Sequence, residues 1–166
     1  MAPPSQIETI ITLIQQWQFS INDGITTYIV DAQPINQQLA VPASMTLPTR
    51  ITAPALGKVS MNVTKTSFGI GGDRSIVHTL EDMMLWSPVT QELAPSNAAY
   101  ALLRYCTAYE LMVNQYRHLI NTATCQAWIE DGLQFEPGVY EYPRGSKRGY
   151  LGVLTTLTVK ESINNP

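Results

Sequence analysis

The side chains in this sequence best suited to proton transfer or metal ligation are two histidines, thirteen carboxylates and two cysteines. His78 and His118 stand far apart, and neither has a second ligand at the spacing that puts two imidazoles on one helical face. Glu81 and Asp82 are adjacent, so on a strand they point to opposite faces and neither share a proton nor flank one substrate. No Gly-x-Ser-x-Gly elbow occurs. Gly69-Ile70-Gly71-Gly72-Asp73-Arg74 has the glycine content of a phosphate cradle. Such a loop must lead into a helix N-terminus, however, and here a strand is expected to follow, so a hairpin turn is favoured. An enzyme would need folding alone to bring His78 or His118 to carboxylates in a pocket. No catalytic residue, cofactor or metal site is assigned.

The densest charge is basic. Arg144, Lys147 and Arg148 lie in one short loop flanked by Tyr140, Tyr142 and Tyr150. A solvated hairpin tip explains them, and contact with phosphates or an acidic partner is the alternative. The net charge of −3 and pI near 5.3 argue against a surface whose affinity comes mainly from neutralising phosphates. Charged residues make up only 14% of the chain, below the roughly 25% of an average soluble protein. Gln15-Gln16, Asn36-Gln37-Gln38 and Asn121-Thr122 take their place. Interface cores are depleted of charge, so this composition suits a subunit that buries much of its surface against neighbours. Cys106 sits on an expected apolar stripe as a small hydrophobe, and Cys106 and Cys125 imply no disulfide framework. The N-terminus lacks a signal-peptide pattern and no run is long enough to span a bilayer, so a soluble chain made in the cytoplasm is expected.

Hydrophobic periodicity sets the elements that would position these groups. Ser5 and Glu8 have capping-box spacing, predicting a helix from Gln6 with Ile7, Ile10, Ile11, Ile14 and Trp17 on one face. Asn22-Asp23-Gly24 breaks it, and Ile25 to Asp31 reads as a strand. Ala32 to Gly57 carries Pro34, Pro42, Pro48 and Pro54 and reads as an irregular excursion, holding a short strand around Arg50 to Thr52. Val59, Met61 and Val63 alternate as in a half-buried strand. Ser75 to Trp86 is apolar on both faces, as in a central strand, with Ile76, His78, Leu80, Asp82, Met84 and Trp86 on one side. The two form a long hairpin. After a linker marked by Pro88 and Pro95, Ser96 caps a long helix whose stripe is Leu102, Cys106, Tyr109, Val113, Tyr116 and Ile120. Val139 to Tyr142 and Tyr150 to Val159 make a closing hairpin around the basic loop. The fold class is α+β: a mostly antiparallel sheet with a long hairpin, flanked by an N-terminal helix and one long central helix. Its length suits a single domain over 1–166.

This order, with Leu47-Pro48-Thr49-Arg50-Ile51 in the excursion, Leu85-Trp86-Ser87-Pro88 ending the hairpin and Gly149-Tyr150-Leu151-Gly152-Val153-Leu154-Thr155-Thr156-Leu157-Thr158-Val159 at the end, resembles the tail terminator and related neck proteins of tailed bacteriophages. The resemblance covers most of the chain in layout and rests on short motifs. It implies a structural, non-enzymatic subunit of the virion neck or tail end, assembled in the host cytoplasm. Such a subunit forms a ring, hexameric in that family, that caps the tail tube and joins it to the head connector. Its implied partners are copies of itself, the tail tube protein and a head-tail connector or adaptor protein, with at most transient contact with DNA and no membrane. That family has no active site to carry over. The hairpin loop (Thr66, Phe68, Gly69, Ile70, Gly71, Gly72, Asp73 and Arg74) is the candidate subunit contact, because a long Gly-rich tip adapts until docked. Arg144, Lys147 and Arg148 are candidates to face an acidic neighbour or passing DNA. The competing readings are a small nucleic-acid-binding adaptor using the 144–148 loop, and an unrecognised enzyme.

Overall fold

In a computed structural model, residues 4–22, 24–32, 47–55, 61–65, 73–89, 95–142 and 147–164 are described. Two helices and nine strands follow in the order α1 (Ile7–Gln15), β1 (Phe19–Asn22), β2 (Thr27–Ala32), β3 (Thr49–Pro54), β4 (Met61–Lys65), β5 (Arg74–Pro88), α2 (Pro95–Gln115), β6 (His118–Asn121), β7 (Cys125–Ile129), β8 (Gln134–Glu141) and β9 (Gly149–Ile163). The fold is α+β with a mostly antiparallel, curled sheet.

The sheet is built on two strands of 15 residues each, β5 and β9, paired antiparallel along their length. Each carries two shorter strands on its outer edge. On β5, β3 pairs with Leu80 to Leu85 and β4 with Arg74 to His78. On β9, β8 pairs with Gly149 to Thr156 and β7 with Val159 to Ile163. β1 and β2 extend the sheet beyond β3, and β6 extends it beyond β7. The only parallel pair among the described strands is β2 with β3.

Alternation along the two long strands assigns the faces, because directly paired residues lie on the same side. Ile76 pairs with Glu161, His78 with Val159, Leu80 with Leu157, Asp82 with Thr155 and Met84 with Val153, and all ten are buried. This is the face on which α1 and α2 pack, through Ile10, Ile11 and Ile14 of α1 and Leu102, Tyr105, Tyr109 and Val113 of α2. The opposite face is partly covered by a smaller cluster of Ile51, Leu85 and Tyr150, against which Tyr140 and Tyr142 pack. Where the strands shift register, between Leu85 and Ser87 of β5, Gly152 lies opposite Leu85. A Cβ on Gly152 would overlap the Met84 carbonyl oxygen, so only glycine allows the two backbones this approach.

The expected elements over 25–31, 50–52, 75–86 and the closing hairpin are present as β2, β3, β5 and the β8–β9 pair, with different ends. Several details differ. The Ser5–Glu8 capping box does not form: Gln6 is the N-cap residue of α1 and makes no side-chain cap bond, because Ser5 is bonded elsewhere. β4 exists, but Met61 and Val63 are exposed rather than half-buried, since this edge strand extends past the cover of the helices; Val59 lies outside the described residues. On α2 the buried stripe is Ala98, Ala101, Leu102, Tyr105, Tyr109 and Val113, Cys106 is only half-buried, and Tyr116 is exposed. The helix stops at Gln115 and Ile120 belongs to β6. There Arg117 leaves the helical path to exchange bonds with Ile129, its carbonyl accepting from the Ile129 N–H and its Nε donating to the Ile129 carbonyl. Ser96 lies inside α2 instead of capping it, behind Pro95, a residue suited to a first helical turn.

Candidate functional site

Among the described residues, the polar groups that converge are buried and hold α1 by both ends. A helix terminus leaves backbone donors or acceptors without partners, and its dipole favours an anion at the start and a cation at the finish. At the start, Glu161 of β9 accepts from the Gln6 N–H at 2.7 Å and from Ser5 Oγ at 2.7 Å. His78 Nε2 lies 2.8 Å from the same carboxylate, and Cys125 Sγ donates to it at 3.7 Å. Burial alone raises the Glu161 pKa, but the bonds from His78, Gln6 and Ser5 outweigh it and hold the carboxyl below its ordinary value. Burial first, and then the neighbouring Glu161 charge, push the Cys125 thiol up to about 11.

At the finish, Arg50 of β3 donates from Nη1 to the Trp17 carbonyl at 2.8 Å and from Nη2 to the Ile14 carbonyl at 2.9 Å. Its charge is met by Asp82 of β5, 3.0 Å from Nη2 and 3.1 Å from Nε. Both side chains are fully buried. The Tyr109 hydroxyl donates to Asp82 Oδ2 at 2.9 Å, and the guanidinium carbon lies 4.7 Å from the centre of the Phe19 ring, a cation–π distance. Burial works against the Arg50 charge, but the Asp82 carboxylate, together with Tyr105 and Tyr109, outweighs it and raises the pKa. Burial and then Asp82 drive the Tyr105 and Tyr109 hydroxyls well above their ordinary range.

Ser5, His78 and Glu161 bring a hydroxyl, an imidazole and a carboxylate together, so the arrangement has to be compared with a nucleophile–base–acid relay. In such a relay the imidazole contacts nucleophile and carboxylate through its two different nitrogens. Here Ser5 Oγ, at 3.5 Å, and Glu161 both lie against Nε2, and Ser5 donates directly to Glu161. His78 and Glu161 side chains are 2% and 0% exposed. The cluster is a helix anchor. His118 is exposed on β6 beside a cleft of about 500 Å³ that Trp17, Met112 and Tyr116 also line. No group of three or more His, Cys, Asp or Glu among the described residues is placed to hold a metal ion.

Of the expected contact residues, Thr66, Phe68, Gly69, Ile70, Gly71 and Gly72 lie outside the described residues, as does Arg144. The strands they connect are in place: Lys65 pairs with Arg74, with Asp73 exposed just before β5. Lys147 and Arg148 are exposed at the turn between β8 and β9, where Glu141 pairs with Gly149. The other end of β8 borders a cleft of about 380 Å³ between the last turns of α2 and the β7–β8 connection. Its apolar wall includes Val113, Leu133 and Phe135, and its rim carries Glu110, Glu130 and Asp131, with Arg117 paired to Asp131 at 3.1 Å. Sequence reasoning missed this cleft, because residues 110–117 and 129–135 meet only through the packing of α2. It also missed both helix anchors. Their legible mark was a polar residue at an inward position of an apolar strand face, which implies a buried partner.

Among the described residues, large apolar side chains are exposed at several places, including Tyr100, Leu103 and Leu111 on α2, Ile25 and Ile29 around the β1–β2 turn, Met61 and Val63 on β4, and Val89 and Val139. No described helix is long and apolar enough to cross a membrane. The described residues define an α+β protein whose buried charges hold its own helix α1 and which also exposes several large apolar side chains. The chain matches no protein-family model, no curated protein and no solved structure.

Proposed function

We propose that this protein is a structural subunit of the neck or tail end of a tailed bacteriophage, forming a ring that caps the tail tube and joins it to the head connector. The observation that carries the reading is the scatter of exposed apolar residues over different parts of the surface. Ile25 is 83% exposed, Leu111 64% and Met61 53%, on a turn, a helix and a sheet edge respectively. Within that spread, Tyr100, Leu103 and Leu111 lie on one helix, α2, and Met61 and Val63 alternate on β4, and grouped apolar exposure of this kind marks interaction sites. A ring of identical subunits needs two different complementary patches on each copy, and a low charge content lowers the desolvation cost of forming them. The layout shared with tail terminators supplies the biological setting.

Particle mass in solution, by light scattering across a concentration range, tests this reading on the intact chain, a variant lacking residues 66–72, and Leu103→Ser/Leu111→Ser. A closed species near six subunits, reduced by one of the changes, is the expected result. A monomer at every concentration counts against it. If retention on DNA then falls with rising salt and with Lys147→Ala/Arg148→Ala, the adaptor reading replaces it.

A further inference from the structure

We infer that the carboxylate-rimmed cleft beside Phe135 is the docking site for Lys147 and Arg148 of a second copy of this chain, so that successive subunits join head to tail. This deepens the ring reading and rests on it.

The match is one of shape and charge together. The cleft presents apolar Val113, Leu133 and Phe135 below a rim of three carboxylates and one guanidinium. Arg117 and Asp131 are paired with each other, and no described side chain bonds Glu110 or Glu130. A lysine or arginine suits such a site, because its aliphatic stem lies on apolar surface while its head reaches a carboxylate. The face of an aromatic ring adds cation–π attraction. Lys147 and Arg148 provide these groups at an exposed turn. They also stand on the same strand pair as the cleft: β8 begins at Gln134, beside it, and ends at Glu141, beside the turn.

That placement dictates the kind of contact. Phe135 and Glu141 are six residues apart along an extended strand, about 20 Å at roughly 3.3 Å per residue. Lys147 and Arg148, just ahead of Gly149 opposite Glu141, therefore cannot reach the cleft of their own subunit. A second copy can satisfy both, using its turn on one neighbour and its cleft on the other, which is the heterologous pattern that closes into rings.

The test is a charge exchange read by light scattering and sedimentation, with circular dichroism confirming that each variant folds. Glu110→Lys/Glu130→Lys reverses the cleft and Lys147→Glu/Arg148→Glu reverses the turn. Each variant alone is expected to weaken self-association on the order of a hundredfold, since like charges across an interface cost several kcal/mol. Mixing the two restores it, because each then offers the other a complementary pair. Should a reversal fail to fold, the neutral variants Glu110→Gln/Glu130→Gln and Lys147→Gln/Arg148→Gln are each expected to weaken self-association and its salt dependence relative to the native protein, and no change in either overturns the contact. A native oligomer unaffected by either reversal overturns this contact and leaves the ring intact. Loss in both without recovery on mixing also overturns it. A native monomer at every concentration and salt overturns both the contact and the ring.

Discussion

Arg50 stands between two jobs, neutralising Asp82 and capping the end of α1, and substitution separates them. Asp82→Asn leaves the guanidinium buried but still bonded to the Ile14 and Trp17 carbonyls, and breaking a buried pair in this way costs about 3–5 kcal/mol. Arg50→Met strands the carboxylate instead, with the Tyr109 hydroxyl bonded to it, and also strips two helix carbonyls of their donors. Each carbonyl adds about 1–3 kcal/mol, for a total of roughly 5–11 kcal/mol. That is comparable with the roughly 5–15 kcal/mol that holds a typical domain folded. The double change Arg50→Met/Asp82→Asn removes both charges and keeps only the carbonyl cost, about 2–6 kcal/mol. Urea unfolding followed by circular dichroism and tryptophan fluorescence should therefore rank Arg50→Met as the least stable of the three, with the second substitution restoring stability to it. If Arg50→Met loses less than about 1 kcal/mol, or the double variant is less stable than Arg50→Met, buried-charge compensation is the wrong account of this site.

Three further outcomes follow from residues already described. Glu161 titrates below its ordinary value in the folded protein, so the stability it contributes is complete above the unfolded carboxylate range and is lost as pH falls through and below about 4.5; Glu161→Gln should flatten that acid limb of a stability–pH curve. Gly152→Ala must displace the Met84 backbone and should cost about 1–3 kcal/mol, an overpacking cost. Differential scanning calorimetry would show it as a Tm lowered by roughly 2–4 °C per kcal/mol. The Cys125 thiol, buried and raised to about 11, should resist alkylation at pH 8 in the folded protein and react at an ordinary rate in urea, as mass mapping of the labelled peptides would show.

Much of the fold was legible because the long elements carry long patterns. β5 alternates over more than ten residues and identified its own inward face, and the α1 isoleucines recur at helical spacing. β1, β6 and β7 went unread because runs of four or five residues, such as Phe19–Asn22 and Cys125–Ile129, hold too few alternations to stand out from their surroundings. The α2 stripe was read correctly at Leu102, Tyr109 and Val113 but took in Tyr116 and missed Tyr105, because tyrosines lie on several sides of the helix and only packing decides that Tyr105 faces inward while Tyr116 does not. The buried partnerships were half legible. His78 and Asp82 each stood on an apolar face and so needed a partner, but those partners, Glu161 and Arg50, lie 83 and 32 residues away, and only the register of the sheet brings them together.

The anchoring of α1 by the last strand also sets an order of events during synthesis. The Gln6 N–H and the Glu161 carboxylate are 155 residues apart, an interval of roughly 8–30 s at about 5–20 residues per second. A nine-residue helix has little stability alone, so through that interval Ile10, Ile11 and Ile14 have no completed surface to bury against. Helix α1 therefore leaves the ribosome well before the strand that secures it, and its apolar stripe is fixed only once β9 has emerged.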